Sequence, residues 1–83
     1  MTTPREQLTA ALRSVVPDAD PDALDPGEPL RDALELDSLD FLAFVEDLSA
    51  RTGVAIDDDD YPQLQTVAGC VRFLEAALAR AGG

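Results

Sequence analysis

Residues 35–48, ELDSLDFLAFVEDL, decide the fold of this chain, and their reading spreads outward in both directions. At about 100° per residue, Phe41, Leu42, Phe44, Val45 and Leu48 share one broad face, while Leu39 falls on the other among Asp40, Ala43, Glu46 and Asp47. Asp37 suits an N-cap, and Asp40 follows three residues later, so both carboxylates sit at the positive end of the helix dipole. A helix is therefore expected from Ser38 to about Thr52, with Gly53 as its C-terminal stop. It contains an oddity: a serine in the first turn stands beside a leucine that the helix's own core face cannot use.

Upstream, Thr3-Pro4-Arg5-Glu6 carries the marks of another helix start, with a capping threonine, a proline at the first helical position and a glutamate that completes a capping box. Leu8, Leu12 and Val15 follow at helical spacing until Pro17 ends the run. The segment 17–37, PDADPDALDPGEPLRDALELD, is broken by prolines and predicts a long ordered loop, pinned to the bundle by Leu24, Leu30, Leu34 and Leu36. Downstream, Val54-Ala55-Ile56 reads as a buried connector into a short irregular helix around Asp58 to Leu64. Thr66 then caps a last helix in which Val67, Val71, Leu74 and Leu78 recur. No segment alternates with strand period. The expected architecture is all-α: a small four-helix bundle of three longer helices and one short one, with a long loop between the first two long helices.

Composition narrows the function. Eighty-three residues make one small domain, structured over about 4–80 with a frayed tail at 81–83. A chain of this size buries only about 60% of its unfolded surface and has little material for a catalytic cleft, so a carrier or binding role is expected rather than an enzyme. Six basic residues, all Arg, against 17 acidic ones give a net charge of -11. A field of that sign repels phosphate backbones and anionic headgroups and attracts basic protein surfaces, so neither nucleic acid nor a membrane is an expected partner. The lone Cys70, within VAGCVRFL, reads as a small core residue. With no His and one Cys, no His- or Cys-based metal site is expected. Asp57-Asp58-Asp59-Asp60 fails as an EF-hand, because Pro62 falls where Gly is needed and Ala68 where a bidentate Glu is needed; it reads as a solvated helix start. The polar N-terminus and the lack of a long apolar run point to a cytoplasmic chain, expected to be monomeric.

Asp37-Ser38-Leu39 at a helix start, inside a small acidic helical chain, resembles the attachment motif of acyl carrier proteins, and the likeness continues without a gap through Val45, Leu48, Gly53, Ile56 and Thr66-Val67. The resemblance implies that Ser38 carries a phosphopantetheine arm, installed by a phosphopantetheinyl transferase, whose terminal thiol holds acyl groups as thioesters for fatty-acid, polyketide or related biosynthetic enzymes. Physical chemistry assigns compatible roles to these residues. A helix N-terminus, with its unpartnered N–H groups and dipole, tolerates a phosphodiester on Ser38. Asp37 fixes the helix start. Leu39, Asp40, Ala43, Glu46 and Asp47 form the expected face for partner enzymes with basic surfaces, and this gives the misplaced leucine a purpose.

The chain departs from the family pattern at Glu35, where many members have Gly, at Ala43, where an acid is common, and at Asp57, where Pro often stands. The lack of a Gly-Gly pair before the serine favours an acyl over an aminoacyl cargo, and the bulk of Phe41 and Phe44 leaves less room for a long chain inside the bundle. The alternatives are a peptidyl or aminoacyl carrier, and a non-carrier interaction module whose Ser38 is never modified.

Overall fold

The computed structural model describes residues 3–82, with side chains described as far as Arg80. Helix α1 spans Pro4–Val15, a 3₁₀ turn Pro21–Ala23, α2 Leu30–Ala33, α3 Ser38–Thr52, a longer 3₁₀ helix Asp58–Leu64, and α4 Val67–Gly82. The all-α bundle is the one the periodicity implies, and the described residues include no strand. Gly83, the end of the tail expected to fray, lies outside the described residues; Gly82 is still helical.

Each long helix starts where its side chains can satisfy the exposed N–H groups. In α1, the Glu6 N–H donates to Thr3 Oγ1 at 3.1 Å and the Thr3 N–H to Glu6 Oε2 at 3.4 Å, closing the capping box. In α3, Asp37 Oδ1 accepts the Asp40 N–H at 2.7 Å. In α4, Thr66 Oγ1 accepts the Gly69 N–H at 2.9 Å. Helix α3 stops at Gly53, whose φ of 73° is the left-handed conformation that glycine adopts without a Cβ clash. At Gly69 the requirement is space: a Cβ there would stand 2.3 Å from the Gln63 carbonyl oxygen, because α4 is drawn tightly against the 3₁₀ helix.

One apolar core joins the helices. Leu8, Ala11 and Leu12 of α1 meet Phe41, Phe44, Val45 and Leu48 of α3 and Val67, Cys70, Phe73 and Leu74 of α4. Two expectations need correction. Leu42, placed on the core face of α3, is 38% exposed, because it lies a full 100° step beyond Phe41 at the edge of that face. The connector is only half-buried at Val54 and Ile56 and exposed at Ala55, since extended backbone turns successive side chains to opposite sides. Cys70 is fully buried as expected, and loss of solvent pushes its thiol pKa up to about 12, so it stays protonated at neutral pH.

The segment 17–37 is ordered, as its leucines imply: Leu30 and Leu36 are buried, and Leu24 and Leu34 pack half-buried against the core. Buried Ala19 and Pro21 add anchors, Arg13 Nε donates to the Ala19 carbonyl at 2.9 Å, and Arg5 pairs with Asp22 at 2.7 Å. The one-turn helix α2 interrupts the expected loop. It begins behind Pro29 and has only four residues, too few for a helical period to show. The Leu30 N–H donates to the Gln65 carbonyl at 2.7 Å, tying α2 to the base of α4.

The exit from α2 explains Glu35. The Leu34 N–H donates to the Leu30 carbonyl and the Leu36 N–H reaches back to the Arg31 carbonyl, both at 2.9 Å, while Glu35 between them has φ of 54°. These bonds form a Schellman-type helix end, whose left-handed position normally falls to glycine. A left-handed L-residue costs about 1–2 kcal/mol, against roughly 0.5–1 kcal/mol of extra chain entropy that glycine loses on folding. Glu35→Gly is therefore expected to raise unfolding stability by about 0.5–1 kcal/mol in urea denaturation. Glu35→Ala, which removes the charge and keeps the strain, should not reproduce that gain.

Candidate functional site

The left-handed turn at Glu35 swings the chain so that the end of α2 and the start of α3 converge on Ser38. Ser38 is the first residue of α3 and is exposed. The N–H groups of Ser38 and Leu39 have no acceptor within the helix, whereas that of Asp40 is taken by the Asp37 carboxylate. Arg31 Nη2 donates to Ser38 Oγ at 3.3 Å, and its Cζ lies 5.9 Å from the centroid of the Phe41 ring. Phe41 is braced in turn by Phe44 at 6.0 Å and by Tyr61, edge-on, at 5.7 Å. The Tyr61 hydroxyl pKa is raised, first by desolvation and then by the Asp58 and Glu46 carboxylates.

Leu39 is 75% exposed, which agrees with its position opposite the core stripe. Together with Leu42, exposed Ala43 and exposed Glu46 it lies on the outward face of α3, at the one-turn spacing that makes helix residues neighbours. Asp40 and Asp47 occupy the edge of that face, half-buried, and the Asp47 carboxylate is engaged by Arg51 one turn on. The sequence reading missed Leu42 and Arg31 as members of this surface. For Leu42 the signal was present, since it follows Leu39 by three residues. For Arg31 there was none, because its nearness to Ser38 depends on the turn at Glu35.

The site is an open surface. A groove of about 680 Å3 between the 3₁₀ helix and α4, lined in part by Asp60, Gln63, Arg72 and Phe73, involves none of these residues. A hydroxyl held out at a helix start, with backbone N–H groups and a guanidinium beside it and no cleft around it, suits an anionic group attached at that point. That donor set fits a phosphodiester.

A small helical bundle that presents an exposed serine hydroxyl at an open helix start is the class of protein that this arrangement defines. The family model for the phosphopantetheine attachment site matches residues 6–74, and the chain belongs to that family. It is a phosphopantetheine carrier. Carriers of this kind interact with a phosphopantetheinyl transferase and with the enzymes that load and use them. Searches of the curated proteins and of the solved structures found no match. Among the described residues, no helix is long and apolar enough to cross a membrane.

Proposed function

We propose that the chain is an acyl carrier protein in which Ser38 bears the phosphopantetheine arm, and that it delivers acyl thioesters to fatty-acid, polyketide or related biosynthetic enzymes. The observation that carries this reading is the exposed Ser38 at the first position of α3, between the capping Asp37 and the exposed Leu39. When attached, the arm supplies a terminal thiol that holds the cargo as a thioester. The chain's own residues do the rest. Asp37 Oδ1 accepts the Asp40 N–H, and Ser38 Oγ accepts from the Arg31 guanidinium, which takes no proton; among the described residues the Ser38 hydroxyl donates to no carboxylate. The transferase is therefore the proposed source of the base that takes the Ser38 hydroxyl proton during modification. The outward face of Leu39, Leu42, Ala43 and Glu46, flanked by Asp40, is the proposed docking surface, and a net charge of -11 favours basic partners. Phe44 is fully buried and Phe41 nearly so, which supports a short acyl cargo; the lack of a Gly-Gly pair supports acyl rather than aminoacyl loading.

Intact mass measured after incubation with coenzyme A and a broad-specificity phosphopantetheinyl transferase should rise by one phosphopantetheine, with fragment mapping placing it on Ser38. A chain that gains no mass with any transferase tested would end the reading.

A further inference from the structure

We propose that Arg31 holds the phosphodiester that joins the arm to Ser38, an inference that rests on Ser38 being the attachment point. Arg5 pairs with Asp22 and Arg51 with Asp47, whereas Arg13, Arg31, Arg72 and Arg80 have no carboxylate partner among the described residues. What sets Arg31 apart is its position: its side-chain polar contact is the long 3.3 Å bond to Ser38 Oγ, so no carboxylate competes for its guanidinium at the attachment point. Two independent features keep it there. Its carbonyl is fixed by the Leu36 N–H in the strained helix end at Glu35, and its guanidinium lies near the ring of Phe41, itself set among Phe44 and Tyr61.

An ester at Ser38 Oγ puts a phosphorus one bond from the atom that Arg31 already touches. The two non-bridging oxygens of a phosphodiester match the parallel N–H donors of a guanidinium, which a lysine ammonium cannot reproduce. Elsewhere the acidic field of the chain opposes a new negative charge beside Asp37. Arg31 and the open N–H groups of Ser38 and Leu39 offset that opposition locally and anchor the root of an otherwise flexible arm.

The chain has six arginines and no lysine, so an Nε–Hε nitrogen NMR spectrum of the full chain reads every basic side chain. The spectrum is recorded before and after modification, with the Arg31 signal assigned by its absence in Arg31→Gln, and phosphorus NMR is recorded on both modified proteins. The expected result is a shift and sharpened order of the Arg31 signal on modification, with the phosphorus resonance displaced between parent and Arg31→Gln, and that displacement shrinking as salt is added. Arg31→Lys should restore only part of it. If Ser38 is modified while the Arg31 signal and the phosphorus resonance are indifferent to each other, the Arg31 contact is overturned and the carrier reading stands. If the parent gains no mass at all, the attachment reading fails and the Arg31 contact fails with it.

Discussion

Ser38→Ala is expected to abolish phosphopantetheine attachment completely while leaving the melting temperature close to that of the parent. The hydroxyl it removes is exposed and makes one long contact, with Arg31. Alanine is the best helix former, and the cap of α3 belongs to Asp37, which the substitution does not touch. The stability change should lie within about 0.5 kcal/mol. No other serine can substitute. Ser14 Oγ donates to the Ala11 carbonyl within α1 at 2.7 Å and Ser49 Oγ to the Val54 carbonyl of the connector after α3 at 2.6 Å, and neither serine stands at an open helix start. Intact mass and a thermal melt on the same sample read both effects. A Ser38→Ala chain that still gains the arm would move the attachment point elsewhere in the matched region.

The ends of the helices were readable because each is set by local chemistry. Thr3 and Glu6, Asp37, Gly53 and Thr66 all perform in space the capping that their positions along the chain imply. The phase of α3 was readable too, down to the exposure of Leu39. Residues at the boundary of the apolar stripe were not. Leu42 sits where a small rotation decides between core and solvent, and that rotation is set by how α1 and α4 pack on α3, which one helix's periodicity does not contain. In α4, Phe73 and Ala77 enter the core beside Val67, Cys70 and Leu74, while Val71 stays half-buried, for the same reason.

The segment before α3 hid the most. Its four prolines point correctly to interrupted structure, but the turn of helix at Leu30–Ala33 is held by the Leu30 bond to Gln65, a partner far along the chain. The sequence marks Glu35 as a departure from the family's glycine but does not show its reason. It is a backbone matter: the position has positive φ, and the chain keeps an L-residue there at a cost in strain. That strained turn brings Arg31 to Ser38, so the least legible part of the chain supplies a cation beside the candidate attachment point.

Leu48→Ala and Leu39→Ala should separate stability from function. The two leucines stand on the same helix with opposite surroundings: Leu48 has no exposed surface and lies in the core with Phe44 and Val45, while Leu39 is 75% exposed. Truncating a buried leucine loses transfer energy and leaves a cavity, about 2–5 kcal/mol together. In a chain of this size each kcal/mol is worth roughly 4–8 °C, so Leu48→Ala should melt at least about 8 °C early. Leu39→Ala leaves no cavity and should stay within about 0.5 kcal/mol of the parent. Its loss should appear instead at the docking surface, where burying a leucine against a partner is worth about 1.5 kcal/mol or more, or about tenfold in the rate of modification per enzyme encountered. Leu42→Ala should add to that loss, since the two side chains neighbour one another across a turn, and the combined effect should persist in high salt, where a charge contact such as one through Glu46 fades. Equal losses of melting temperature in Leu39→Ala and Leu48→Ala would place Leu39 in the core. A Leu39→Ala chain that is modified and used at the parental rate would show that partners dock elsewhere.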